Sequence, residues 1–158
     1  MTQHAWLVGL LLGGCAATGH PILAGPLIAT AQDAAQHCID LDSETLHALQ
    51  RGDRRLVVVV KAIELASPPS ASLVAALIVG GESPQRQVLD QFAVHPLRAI
   101  SAEDPGRQQR FLLSLAQHRD LIDDFRPLCL EIGFDSRQGV LRGGRVELEI
   151  ELSEPLPK

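Results

Sequence analysis

The sequence has 158 residues, of which 46% are hydrophobic, and a formal net charge of −5. A chain of this length and composition can bury one hydrophobic core but is too short for two ordinary domains. The acidic balance argues against a nucleic-acid partner, because the only basic cluster, Arg51, Arg54 and Arg55, is short and has no aromatic residues within it.

The first residues have the composition of an export leader. Residues 1–32 contain no Lys, Arg, Asp or Glu, and Ala5–Leu12 is an apolar run of signal-peptide length, too short to span a membrane. The residues Met1–His4 lack the positive charge that usually precedes such a run. We expect an exported protein, periplasmic or secreted. The alternative, an uncleaved anchor over residues 5–28, is disfavoured by the prolines and glycines within it.

Two positions can end this leader. Ala29-Thr30-Ala31 is the small-x-small pattern that signal peptidase accepts, and it predicts a signal peptide of residues 1–31 with Gln32 as the new N-terminus. Leu12-Gly13-Gly14-Cys15 resembles a bacterial lipobox. It predicts a lipoprotein signal of residues 1–14 and a lipid anchor on Cys15 as the only membrane contact. The lipobox directly follows the apolar run, but the segment after it is less polar than a usual lipoprotein tether, so both positions stay open.

Two further cysteines, Cys38 and Cys129, form an even pair. In an oxidising compartment such a pair predicts one disulfide, which would join the start of the domain to a late strand. Closing a loop of this size stabilises a domain by about 4 kcal/mol in the loop-entropy model. The alternative is that Cys129 is a buried small hydrophobic residue and Cys38 an exposed thiol.

The histidines do not have the spacing of a metal site. His37 and Cys38 are neighbours, so on an extended chain their side chains point to opposite faces. The other histidines beyond the leader, His47, His95 and His118, are scattered and lack a helical ligand spacing. We therefore predict no bound metal and no cofactor.

Residues 32–54 are predicted to lead into the domain, and residues 55–158 to form it. In the lead-in, Asp42 or Ser43 can cap a short helix that Gly52 ends, although a strand followed by a turn fits the same residues.

The rest of the chain predicts a mainly β fold, because β-branched or alternating apolar stretches are separated by Gly and Pro. The segment from Gln85 to Arg107 is polar and interrupted by prolines, which predicts a loop-rich side with one short strand. The spacing of Leu121, Ile122 and Phe125 predicts one face of a short helix. The predicted strands are Leu56–Leu65, Ser72–Val79, Gln91–Val94, Arg110–Leu115, Leu128–Phe134 and Val146–Leu152.

The last of these strands alternates strictly between apolar and acidic residues. The pattern predicts a buried face and a face in water, where an acidic stripe would keep an outer strand from pairing with other chains. Together the short strands predict an antiparallel β-sandwich or jelly-roll-like barrel with one or two short helices. The residues predicted to face inward are Val146, Leu148, Ile150 and Leu152, and those predicted to face outward are Glu147, Glu149 and Glu151.

The order of these segments resembles the C-terminal β-sandwich domain of tyrosinases and plant polyphenol oxidases, over the range Leu56 to Leu152. In that family a strand ending in an Ile-Glu-Leu-like triplet precedes a second strand, and a Gly-Gly turn opens an alternating last strand. Ile63-Glu64-Leu65 and Gly143-Gly144 stand at those positions here, and Phe92–Pro96 matches a Phe-Ala segment before a Pro/His element. The Lys-Phe-Asp-Val tetrad of the plant domain is replaced near Ser72–Ala75, and the copper-binding histidine core is missing.

In the parent enzymes this domain lies over the dicopper site and shields it until removed. The resemblance therefore implies a separate, exported accessory protein that binds, shields or helps to mature a type-3 copper oxidase, with His95 as the candidate for partner contact. The alternative is a periplasmic or outer-membrane binding or structural module of lipoprotein type, unrelated to copper. The sequence has no nucleophile elbow, phosphate-binding glycine motif or zinc spacing, so we predict that the chain is not an enzyme.

Overall fold

The computed structural model describes residues 21–65, 71–80, 83–94, 100–101, 103–122, 127–135 and 143–156. Within these ranges the chain forms eight strands, one α-helix and two short 3-10 helices, at Pro105–Arg107 and Ala116–Leu121. No helix in the described part of the chain has the length and apolar character that a membrane span requires. The elements are β1 (Ile22–Thr30), β2 (Ala35–Ile39), α1 (Ser43–Arg51), β3 (Leu56–Leu65), β4 (Ala71–Val79), β5 (Gln85–Val94), β6 (Gln109–Leu113), β7 (Leu128–Phe134) and β8 (Gly144–Leu152).

The strands form two antiparallel sheets of four, which confirms the predicted mainly β sandwich. Sheet A has the order β1-β8-β3-β6 and sheet B the order β2-β7-β4-β5. Apolar residues from all eight strands form one buried cluster between the sheets. The rings of Phe92 on β5 and Phe111 on β6 stack with their centroids 4.2 Å apart, so they join the two sheets along one side.

The central strands β3 and β4 are buried on both faces. In β3, residues 56–60 are each at most 3% exposed, and in β4 residues 71–77 are each at most 5% exposed. Antiparallel sheets commonly leave one face to water, and their strands then alternate. Here side chains from the flanking strands must cover the outer faces of β3 and β4.

Ion pairs provide this cover on sheet A. Arg110 on β6 and Glu151 on β8 form a bidentate pair that passes over β3, which lies between them in the sheet. Lys61 Nζ lies 2.8 Å from Glu149 Oε2. The register places Val59 between Arg110 and Glu149, so the aliphatic stems of these long side chains shield it from water.

The alternation predicted for β8 is confirmed, but its acidic residues are not a solvated stripe on an outer strand. Its four inward apolar residues are at most 3% exposed. However, β8 lies inside sheet A between β1 and β3, and Glu149 and Glu151 are only 9% and 8% exposed. Periodicity reports which side of a sheet a residue faces, and it carries no information about cations that neighbouring strands place over that side.

The segment predicted as loop-rich with one short strand at Gln91–Val94 contains the ten-residue strand β5, of which the predicted strand is the end. The residues of β5 before Gln91 are mostly exposed and polar, and only Phe92 and Val94 are buried, so the first part of the strand lacks an apolar pattern. Backbone pairing to β4 along its whole length forms it as the edge of sheet B. The helix predicted near residue 121 is a 3-10 helix in which Leu121 is 40% exposed, so that side chain is not on a buried face. Phe125 lies outside the described residues.

The residues before Arg55 are part of the sandwich, which begins at β1. Strand β1 pairs with β8, β2 pairs with β7, and α1 connects the two sheets. Helix α1 begins at the predicted cap, where Asp42 Oδ1 accepts a hydrogen bond of 2.8 Å from Thr45 N, and ends at Gly52 with φ of 79°. The hydrogen bonds from Thr45 hold the pKa of Asp42 below its ordinary value.

Removing Lys61 alone is expected to destabilise the fold more than removing its ion pair. In Lys61→Met the Glu149 side chain, only 12% exposed, has no cation beside it, and we expect a loss of about 2 kcal/mol in the free energy of unfolding. In Lys61→Met/Glu149→Gln neither charge of this pair remains, so most of that loss is recovered. Urea denaturation of the wild type, both single variants and the double variant measures the coupling. Strictly additive losses would contradict this role of the pair.

Candidate functional site

The two cysteines predicted to pair do form a disulfide. Cys38 on β2 and Cys129 on β7 lie directly opposite each other, with their sulfur atoms 2.02 Å apart. Cys38 is exposed on the outer face of sheet B, so the bond joins an edge strand to an interior strand at the surface. The alternative of a free thiol at residue 38 does not apply, and these two sulfur atoms serve as a cross-link.

A second connection on the same outer face is centred on Glu131 of β7. Its Oε2 accepts a hydrogen bond of 2.7 Å from Gln36 on β2, and its Oε1 accepts one of 2.5 Å from Arg86 on β5. The Arg86 side chain reaches Glu131 across β4, where the register places Ala76 beside Glu131. This small, fully buried residue leaves room for the pair above it.

The environment of Glu131 shifts its acidity. Burial acts to raise the pKa of this carboxyl, but the hydrogen bonds from Arg86 and Gln36, together with the Arg86 charge, outweigh burial and hold the pKa below the ordinary 4.5. The carboxylate is therefore the form that the fold stabilises. Its role is structural, because its oxygens are occupied by partners from β2 and β5.

The histidines lie apart from one another. His37 is on β2 and points to the face opposite Cys38, His47 is on α1, and His118 is in the second 3-10 helix. In the described ranges, no three His, Cys, Asp or Glu side chains come close enough to hold a metal ion. His95 and Cys15 lie outside the described residues.

A groove of about 500 Å³ opens between α1 and the segment that follows β8. The segment is held by backbone hydrogen bonds of 2.9 Å from Ser153 N to Arg55 O and 2.8 Å from Leu156 N to Asp53 O. Arg51 on the groove wall forms an ion pair with Asp53 at 2.8 Å, and Arg54 Nε is buried without a hydrogen-bond partner. Charges of both signs therefore line the groove.

Sequence reasoning did not identify this groove or the Glu131 connections. It also missed a polar cluster in sheet B near the end of β5. In this cluster Gln91 Nε2 donates to Ser72 Oγ at 2.8 Å and to Asp135 Oδ2 at 2.7 Å. Ser72 and Asp135 are 4% and 6% exposed. The partners in each case are far apart in the sequence, so no local pattern indicates them.

Comparison with known proteins gives no family for this chain. No protein-family model matches it, and neither does any curated protein sequence.

Loss of the disulfide is expected to lower the free energy of unfolding by about 4 kcal/mol, because the bond closes a loop with a sequence separation of 91. The comparison is between the wild type and Cys38→Ser/Cys129→Ser in urea denaturation, each with and without dithiothreitol. Reductant should bring the wild type to the midpoint of the double variant and leave the double variant unchanged. A wild-type midpoint that reductant does not move would contradict the prediction.

Glu131 is expected to contribute to the acid sensitivity of the fold. Its pKa is lowered in the folded state, so its stabilisation is present above pH 4.5 and is lost as the pH falls through the folded pKa. Glu131→Gln should lose about 1 kcal/mol near neutral pH and show a flatter decline of stability below pH 4.5. Urea midpoints between pH 3 and 7 measure both effects. Glu147→Gln, on the outer face of sheet A, is the control, and an identical acid decline in both variants would refute the assignment.

Proposed function

We propose that this chain is an exported accessory protein without an active site, which binds and shields a type-3 copper oxidase or assists its maturation. The observation that carries the proposal is where the stretches that resemble the tyrosinase domain lie in the fold. They lie on strands β3 to β8, which include the two central strands of each sheet. The resemblance implies a β-sandwich, and these strands form the framework of one.

The disulfide supports the exported location. Disulfides persist in oxidising compartments and are rare where thiols are kept reduced. The Cys38–Cys129 bond holds an edge strand in place at the protein surface, so a chain kept in a reducing compartment would lose a connection of its fold.

The partner contact is proposed at the end of the sandwich opposite α1. His95 directly follows β5, whose last residue Val94 pairs with Ala71 at the start of β4. The ends of β3 and β7, at Leu65 and Phe134, lie at this same end of their sheets. Helix α1 and the groove lie at the other end, so a partner that contacts His95 leaves the groove free.

A second candidate function is a lipid-anchored binding or structural module with no link to copper. One observation favours it. Strand β1 is paired in sheet A, and its last two residues, Ala29 and Thr30, belong to the pattern that would end the longer leader. This points to the earlier end, at the lipobox. The two functions differ in their partner and not in their fold.

Co-expression with a tyrosinase-like oxidase encoded in the same genome tests the first function. We expect the accessory protein to co-purify with the oxidase and to raise its copper content and diphenol-oxidising activity. His95→Ala should weaken co-purification several-fold, while His118→Ala, at the α1 end, should not. Equal copper content and activity with and without the protein would reject the copper function in favour of the second.

A further inference from the structure

Strand β1 is an integral part of sheet A. It pairs with β8 from Ile22 opposite Glu151 to Thr30 opposite Arg145. Backbone hydrogen bonds close both ends of the strand, from Leu152 N to Pro21 O at 3.0 Å and from Ala31 N to Gly144 O at 2.9 Å. Its inward alanines, Ala24 and Ala29, are 6% and 0% exposed and belong to the core.

Cleavage after Ala31 would therefore remove a strand of the sandwich. The interior strand β8 would become an edge, and the core residues Leu148 and Ile150, which lie opposite β1, would lose their cover. The bond that would be cut also lies inside a turn, in which Thr30 N donates to Asp33 O at 2.8 Å and Asp33 N donates to Thr30 Oγ1 at 3.0 Å.

Packing explains the small residues of the Ala29-Thr30-Ala31 pattern without a protease. Ala29 lies opposite Val146 in the sandwich core, where it is fully buried. Thr30 supplies the hydroxyl that organises the turn into β2. The pattern that suggests a signal-peptidase site is thus accounted for by the fold, and a leader end compatible with the sandwich must precede Pro21.

We propose that the leader ends at the bond between Gly14 and Cys15, and that Cys15 is the lipid-modified N-terminus of the mature protein. This inference rests on the export part of the proposed function. The sequence Leu12-Gly13-Gly14-Cys15 directly follows the apolar run, and it leaves β1 intact. The attached group is a diacylglyceryl, whose two acyl chains provide the stable anchoring that a single chain does not.

The modification has two steps. The Cys15 thiol attacks the phosphate-bearing carbon of the diacylglycerol part of phosphatidylglycerol, so a carbon–sulfur bond forms, the bond from that carbon to the phosphate oxygen breaks, and glycerol phosphate leaves with the thiol proton. Water then hydrolyses the Gly14–Cys15 peptide bond, which frees the Cys15 amino group. No oxidant or reductant is needed.

The anchor fixes which end of the sandwich lies near the membrane. Six residues, 16–21, separate Cys15 from β1, and at full extension they span about 20 Å. Strand β1 begins beside the end of β8 and the start of β3, at the end of the sandwich that carries α1. The α1 end is therefore held close to the bilayer, and the end with Leu65 and Phe134 points away from it.

Expression of the full chain in a Gram-negative host with radiolabelled palmitate tests this proposal. We expect labelled protein in the membrane fraction, a mature N-terminal peptide with diacylglyceryl on Cys15, and accumulation of the precursor when the lipoprotein signal peptidase is inhibited. Cys15→Ser should abolish the label. Ala31→Gln, which spoils the alternative signal-peptidase site, is the matched control and should change neither the label nor the residue at which the mature protein begins.

Two other results would contradict the proposal, one by excluding the lipid anchor and the other by excluding export. Exported protein that begins at Gln32, or at any unmodified residue before β1, would overturn the lipid anchor and leave export intact. Full-length protein retained in the cytoplasm with Cys38 and Cys129 reduced would overturn export, and the anchor with it.

Discussion

The fold depends on covering two strands that are apolar on both faces. Strand β3 lies inside sheet A and strand β4 inside sheet B, each between antiparallel neighbours, yet neither has a polar face to turn to water. In sheet A the pair of Arg110 with Glu151 crosses over β3, and in sheet B the pair of Arg86 with Glu131 crosses over β4. Each sheet thus carries an arginine on one flanking strand and a glutamate on the other. The arginine side chains remain partly exposed while their stems shield the valines and alanines beneath.

This arrangement explains which strands could be predicted from the sequence. The bounds predicted for β3 and β7 agree with the structure, because dense β-branched or aliphatic runs bounded by Gly and Pro are local signals. Only the last four residues of β5, Gln91–Val94, gave such a signal, because an edge strand needs only a paired backbone and a few inward residues. The residues of β1 were not predicted as a strand, since an uncharged strand with alanines at its inward positions has the composition of a leader.

The candidate site also contains one feature that could be predicted from the sequence and several that depend on the fold. The disulfide could be predicted because two cysteines leave only one pairing, although the count says nothing about where the bond lies. The Glu131 connections, the polar cluster of Ser72, Gln91 and Asp135, and the groove beside α1 each join residues from different strands or from opposite ends of the chain. Their positions depend on strand order and register, which single-sequence patterns do not contain. Glu149 and Glu151 of β8 are an example: the side of the sheet that they face was predicted, but their ion-pair partners, Lys61 and Arg110, were not.

Strand direction gives the two ends of the sandwich different roles. At one end α1 and the segment after β8 close the fold, and their backbone groups are used in bonds between Asp53, Arg55, Ser153 and Leu156. The start of β1 is at this end, so any tether that precedes it leaves from there. At the other end β3, β5 and β7 finish, and the chain continues from β5 directly into His95. If the domain is tethered at its closed end, as we propose, it presents the opposite end to the surrounding compartment, and β5, which His95 follows in the sequence, finishes at that end. The proposed anchor and the proposed partner contact would therefore involve opposite ends of the fold and would not compete for the same residues.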